Sequence, residues 1–268
     1  MRKYKVNENY FDVLNENSSY WLGFLYADGY VRMKDGKSGE LKLKLKDTDK
    51  EHICKFLNDI ESNHPIKCGT DNKSNFCQVS VNSTIMVKRL FELGCDNKKT
   101  FKIRLPELPL NLMNHFIRGY FDGDGSVSKV KNRPNSFNVS ICSNKTFNKD
   151  VINFLGYGKI YEDKNFSVIK IHKIDDIKKF RDFIYNGAQV LMKRKLEVFN
   201  KINDNFKRNY STNKNRKKYK LTNPNGLIII TDNLKLSCTD NDLNYSTMSN
   251  LSRGIGNTNK GWKCEVLN

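Results

Sequence analysis

The chain has 268 residues, with 47 Lys and Arg against 29 Asp and Glu, for a formal net charge of +18. Its 38% hydrophobic and 11% aromatic content is too rich for a disordered chain, and no apolar run approaches the 18 or so residues of a membrane span. A surplus of +18 must be hydrated or matched by a polyanion; nucleic acid leads, an anionic membrane surface is second, and a merely Lys-rich composition from an A/T-rich coding sequence is the bland alternative.

The length suggests about two domains, and the elements fall in a repeating order. Residues 18–29 read as a helix, with Ser18 or Ser19 as N-cap and Gly29 as stop. A hairpin follows, with Asp35-Gly36 and Ser38-Gly39 supplying the turn. Leu41, Leu43 and Leu45 alternate there with Lys42, Lys44 and Lys46, the period of a strand with one buried and one cationic face. A helix over 47–61 places Ile53, Phe56, Leu57 and Ile60 on one side. Short strands near 66–69 and 76–81 and a helix over 83–93 close the unit.

The same order then recurs. Residues 114–125 are helical, 126–142 form a hairpin, and a helix spans 145–155. Strands lie near 158–161 and 167–171, and helices over 175–185 and 188–202 finish the copy. Residues 207–220 hold seven basic side chains and no acidic one, which reads as a linker able to lie along phosphates. A small module follows. Strands near 219–221 and 227–231 flank the Asn223-Pro-Asn-Gly226 turn, helices cover 234–239 and 246–251, and a strand within 260–266 carries Trp262 as the expected core. The expected boundaries are 1–110 and 111–206 for the two halves, 207–218 for the linker and 219–268 for the module.

The seven cysteines are odd in number and none forms a Cys-x-x-Cys pair, which argues against a zinc ribbon or a disulfide framework. They read as small buried thiols. His52, His64, His115 and His172 are dispersed, with no metal-ligand spacing. The opening residues hold no apolar signal core, which argues against secretion.

The chemistry lies in the two repeat-opening helices. Gly23, Ala27, Asp28 and Gly29 align with Gly119, Gly123, Asp124 and Gly125, and Asp124 follows Asp28 by 96 residues. Each small pair is four residues apart and so on one helical face, where two helix backbones can approach closely. Helices packed on these faces bring their C-terminal ends together. Crowded carboxylates are unfavourable unless cations fill the gap, and carboxylates holding hard divalent ions beside a phosphate suit phosphodiester hydrolysis.

Residues 21–29 and 117–125, Trp-Leu-Gly-Phe-Leu-Tyr-Ala-Asp-Gly and Ile-Arg-Gly-Tyr-Phe-Asp-Gly-Asp-Gly, resemble the two motifs of a single-chain LAGLIDADG homing endonuclease. The resemblance covers about residues 15–205. It implies an α+β fold of two pseudo-symmetric αββαββα halves forming a DNA-binding saddle, here followed by a small helix-turn-helix-like module. It makes Asp28 and Asp124 the catalytic and metal-binding acids, with Gly29 and Gly125 as further metal-site residues, and two or three Mg²⁺ ions at the helix interface. The sixth motif letter, Tyr26 in one copy and Asp122 in the other, varies in the family, and Asp122 reads as a helix-end polar residue. A catalytic basic residue near the end of each half, close to the scissile phosphates where it would polarise water or offset phosphate charge, is also implied: Lys99, with Lys98 close behind, and Lys195, favoured over Lys193. Ordinary surface lysines are the alternative.

The implied saddle strands supply Tyr30, Arg32, Lys34, Lys42, Lys44 and Lys46 from one half. Ser128, Lys129, Lys131, Arg133, Asn138 and Ser140 come from the other. Residues 219–266 resemble the NUMOD-type modules found beside homing nucleases, in which Ser246, Thr247, Ser249, Asn250 and Arg253 reach DNA. The expectation is a monomeric, site-specific endonuclease on double-stranded DNA that needs no protein partner or membrane. It would work in a bacterial or phage-infected cytoplasm, or in an organelle matrix. An intron RNA maturase and a non-cleaving DNA-binding regulator are the alternatives.

Overall fold

A computed structural model of the chain describes residues 3–34, 38–71, 74–95, 103–133, 135–204 and 217–267. The chain divides into two compact units, residues 1–206 and 207–268.

The first unit opens with α1 (Glu16–Asp28). Its cap is Asn15, three residues ahead of the expected Ser18. The Asn15 side chain accepts from the Ser18 N–H at 3.0 Å, and the Ser18 hydroxyl accepts from the Asn15 N–H at 2.7 Å. This reciprocal box satisfies two otherwise orphaned donors. Then come β1 (Gly29–Lys34), β2 (Ser38–Lys46), a 3-10 turn (Asp47–Asp49), α2 (Lys50–Asp59), β3 (Lys67–Thr70), β4 (Asn75–Asn82) and α3 (Thr84–Glu92). Ser38 and Gly39 belong to β2, not to a turn; Asp35 and Gly36 lie outside the described residues. The copy that follows is α4 (Leu110–Asp124), β5 (Gly125–Lys129), β6 (Phe137–Ser143), α5 (Lys145–Leu155), β7 (Lys159–Glu162), β8 (Ser167–Ile171), α6 (Ile174–Tyr185) and α7 (Lys193–Phe199).

Each copy builds a four-stranded antiparallel sheet in the same order, β1-β2-β4-β3 and β5-β6-β8-β7. The α+β class is thus two αββαββα repeats, closed by α3 and α6. On each sheet one face is apolar. Leu41, Leu43 and Leu45 are buried beside Cys77, Val79 and Val81; Val139 and Ile141 are buried beside Ile169 and Ile171. The faces meet one continuous core that includes Trp21, Phe24, Phe116 and Phe121.

Two sequence expectations change here. Residues 188–192 are not helical, and α7 begins only at Lys193. Their backbone is used elsewhere: Val190 O accepts from Arg118 Nε at 2.9 Å, and the Met192 N–H donates to Asp122 at 2.8 Å. The cysteines are also not all buried thiols. Register sets Cys68 opposite Cys77, and the two form a disulfide; Cys142 is exposed.

In the second unit β9 (Lys218–Thr222), β10 (Ile228–Thr231) and β11 (Lys263–Leu267) form a sheet in the order β10-β9-β11. Asn223 closes the β9–β10 turn by accepting from the N–H groups of Asn225 and Leu227, and Gly226 takes φ +84°. Helices α8 (Leu234–Asp240) and α9 (Tyr245–Leu251) pack on one another. The core is Leu221, Leu234, Cys238, Leu243, Met248, Leu251 and Cys264, and Trp262 lies at its margin rather than at its centre. Residues 205–216, most of the expected basic linker, lie outside the described residues.

Candidate active site and nucleic-acid interface

Helices α1 and α4 cross on glycine. A Cβ on Gly23 would stand 2.0 Å from Phe116 O, and one on Gly119 only 1.9 Å from Tyr20 O. Neither position admits a side chain. One turn on, a Cβ on Gly123 would stand 2.3 Å from the Ala27 Cβ and 3.4 Å from Asp28 Oδ2. Asp28 therefore reaches the backbone next to Asp124, and both aspartates are exposed at their helix ends. Gly29 and Gly125 pass straight into β1 and β5 in extended conformation. Glycine is required at both because a Cβ would strike the preceding turn, at 2.7 Å from Leu25 O and 2.1 Å from the Phe121 ring.

Lys195 sits under this crossing. It is 4% exposed, and its Nζ donates to the carbonyls of Phe121, Asp122, Gly123 and Gly125 at 2.6, 2.7, 3.1 and 2.6 Å. These are the last carbonyls of α4 and the first of β5, where a cation also complements the helix dipole. Burial lowers the ammonium to about 8, against the opposing pull of Asp122, Asp28 and Asp124. Lys193 instead pairs with Glu51 at the surface. Lys98 and Lys99 lie outside the described residues.

Asp122 points inward. It is fully buried and accepts from Tyr185 Oη at 2.5 Å, Tyr20 Oη at 2.9 Å and the Met192 N–H. Burial pushes its carboxyl up, against those hydrogen bonds. Tyr20 Oη also meets His52 Nε2 at 2.8 Å, and burial, reinforced by the charges of Lys55 and Arg194, pushes His52 down to about 3. Tyr26, at the matching position in α1, donates to Leu93 O. The sixth motif letter is thus interior in both copies.

Among the described residues, no group of three or more His, Cys, Asp or Glu side chains is arranged around a metal. Two exposed carboxylates fit a hard divalent cation that takes its remaining oxygens from water and phosphate, as magnesium does.

Residues 111–235 match the LAGLIDADG-like domain. The matched stretch runs from α4 through the second sheet and on into α8. No curated protein matches the chain. Among solved structures it is similar to the LAGLIDADG homing endonuclease I-GzeII in complex with its DNA target, at 15% identity over 70% of this chain and 89% of that one, with a TM-score of 0.49. The LAGLIDADG meganuclease I-AabMI bound to uncleaved DNA is 14% identical over 70% and 89%, with a TM-score of 0.48. Meganuclease I-SmaMI bound to uncleavable DNA is 12% identical over 68% and 88%, with a TM-score of 0.47.

Within the LAGLIDADG-like region the outer face of the second sheet carries Ser126, Ser128, Asn138 and Ser140, set by the pairs Ser126↔Ser140 and Ser128↔Asn138. Lys129 pairs with buried Phe137, so it stands in the register of the opposite face, at the strand's exposed end. Lys131 and Arg133 lie in the turn beyond, exposed. Sequence reading missed Lys170, opposite Ser140, and His172, whose Nδ1 lies 3.1 Å from Asn138 Oδ1. The placing of Lys170 between Ile169 and Ile171, two apolar residues of one strand phase, was the signal for Lys170.

On the first sheet Tyr30, Arg32, Lys34, Lys42, Lys44 and Lys46 all share the outer face. Glu40 was missed there, although it precedes Lys42 in the same two-residue phase. It is 5% exposed and surrounded by cations. Arg32 Nε and Nη2 lie 2.9 and 2.8 Å from its Oε2, Lys34 Nζ lies 3.2 Å from the same oxygen, and Lys42 Nζ and Ser80 Oγ lie 3.4 and 2.9 Å from Oε1. Burial pushes this carboxyl up, but the bonds from Arg32, Ser80 and Lys34 and the charge of Lys42 outweigh it and hold it at about 2.

In the second unit Ser246 and Thr247 are exposed on α9, while Ser249 and Asn250 are half-buried. Arg253, two residues past α9, folds back onto that helix, donating to Ser249 O and Asn250 Oδ1.

Proposed function

We propose that the chain is a site-specific endonuclease that hydrolyses phosphodiester bonds of double-stranded DNA with divalent cations. The observation that carries this reading is the glycine-on-glycine crossing that delivers Asp28 and Asp124 to one place, between two sheets whose outer faces are polar and cationic. Both acids come from one chain, which supports action as a monomer. Tyr30, Arg32, Lys34, Lys42, Lys44 and Lys46 on one sheet, and Ser128, Asn138 and Ser140 on the other, would meet base edges and phosphates in the major groove. The differing faces predict a target that is only partly palindromic. The second unit would add contacts through α9, as a NUMOD-type module would.

Divalent cations such as Mg²⁺, bound jointly by the carboxylates and the scissile phosphates, would supply Lewis-acid stabilisation of the developing charge. The protein's part is positional. Asp28 and Asp124 present oxygen ligands from fixed helix ends, and their nearness raises local affinity for cations. Lys195 holds the carbonyls behind Asp124, so that this carboxylate stands on a rigid base.

The test is a supercoiled plasmid carrying the uninterrupted flanking locus, incubated with Mg²⁺. The wild type should linearise it, while Asp28→Asn and Asp124→Asn should bind it and lose cleavage of one strand or both. Equal cutting by all three overturns the catalytic assignment. Tight intron RNA binding with metal-independent splicing would establish a maturase instead.

A further inference from the structure

The outer face of the first sheet would attract a polyanion best without a carboxylate, yet Glu40 occupies its middle. Both its oxygens are taken: Oε2 by Arg32 and Lys34, Oε1 by Ser80 and Lys42. With 5% exposure it has nothing left to offer a base. Its effect therefore falls on Arg32. Register sets Arg32 opposite Glu40 and Tyr30 opposite Lys42. The carboxylate takes the Nε–Nη2 side of the guanidinium. Because that group is planar, the Nη1–Nη2 end is directed away from the carboxylate. The Tyr30 ring, 45% exposed, flanks it, with its centroid 5.5 Å from Arg32 Cζ.

A guanidinium pinned on one side and flanked by a ring has lost most of its rotamer freedom before any ligand arrives. An arginine that only met phosphate would need no such pinning, and a carboxylate behind it would weaken the attraction. The Nη1–Nη2 end matches O6 and N7 of guanine, the pair that arginine reads in the major groove. Adenine offers an acceptor and a donor there, so its complement is Asn or Gln.

We propose that Arg32 reads a guanine at one position of the DNA target, and that Glu40 and Tyr30 are positioning residues that preset its guanidinium for that contact. This rests on the reading of the chain as a site-specific DNA-binding protein. Lys34 and Lys42 keep the cluster net positive, so the carboxylate costs little in general affinity.

The experiment is selection of a randomised duplex DNA pool by the full-length protein in EDTA, so that nothing is cut, followed by sequencing. The wild type should enrich a motif with a guanine fixed at one position. Arg32→Lys should keep the rest of the motif and the general affinity but lose preference at that position by roughly 10-fold or more, since a bidentate contact discriminates by about 5- to 150-fold. Glu40→Gln should weaken preference at the same position while leaving binding to unselected DNA equal or tighter; a merely structural role would lower the whole motif instead. A motif unchanged by Arg32→Lys, or changed equally at all positions by Glu40→Gln, overturns the inference while leaving the function intact. No enrichment by the wild type overturns the functional reading, and the inference with it.

Discussion

Lys195 is where residue chemistry is most exposed to test. Resemblance offered it as a basic residue near the scissile phosphate, but its ammonium already serves four carbonyls. In the proposed enzyme a lysine so enclosed would act on Asp124 through the backbone. Lys195→Met keeps the stem and removes the donors, leaving buried acceptors unserved at a cost of about 1–3 kcal/mol. Thermal unfolding should show that loss. DNA affinity should change little, and cleavage should fall because the base under Asp124 loosens. Unchanged stability would mean that the cage contributes nothing. His52 gives the pH dependence. Its folded value is about 3 against an ordinary 6.5, so between those limits the unfolded chain binds the proton and the folded chain does not. Stability therefore falls as pH drops from 6.5 toward 3. By pH 5 the loss from this group is about 2 kcal/mol. His52→Gln should lose that much less between pH 7 and pH 5 in urea unfolding; an identical slope would place the titration elsewhere.

At the scale of elements, what could be read from the sequence was whatever local periodicity and capping determine. The helix expected over 145–155 is α5, which Asn144 caps and Gly156, in the left-handed region at φ 75°, ends. β8 likewise fills 167–171, a run of Ser-Val-Ile-Lys-Ile rich in β-branched residues. The failure at 188–192 has a different cause, which is backbone committed to distant partners. Residues 188–192 have helix-compatible composition, but their N–H and C=O groups close over Arg118 and Asp122, more than 60 residues away in sequence. No local pattern encodes that. The site was legible to the same degree. The small-residue spacing of Gly23, Ala27, Gly119 and Gly123 follows from helix geometry alone, and so does the meeting of the two helix ends. Glu40 was legible in phase but not in role, because only cross-strand register shows that Arg32 stands opposite it.

At the scale of the molecule the two repeats of the first unit share one compact body. Helix α1 opens one repeat and α4 the other, and their backbones touch where Gly23 and Gly119 stand. The Tyr20–Asp122 bond joins the repeats through their interior, and both sheets face one core. The proposed cutting of two strands in register would need this, since an independent wobble of either half would misplace its carboxylate. Gly23→Ala forces a Cβ to within 2.0 Å of Phe116 O, so the helices must separate, at a cost of about 1–3 kcal/mol or more. If the repeats unfold together, that loss spreads over both. The slowest-exchanging amides of β2 and β6 should then report the same opening free energy in the wild type, and should fall by the same amount in Gly23→Ala, because amides exposed by one global event share its free energy. Native-state hydrogen exchange reads this strand by strand. A drop confined to β2 would mean that the halves open separately, and the crossing would then be a contact between two domains rather than the centre of one.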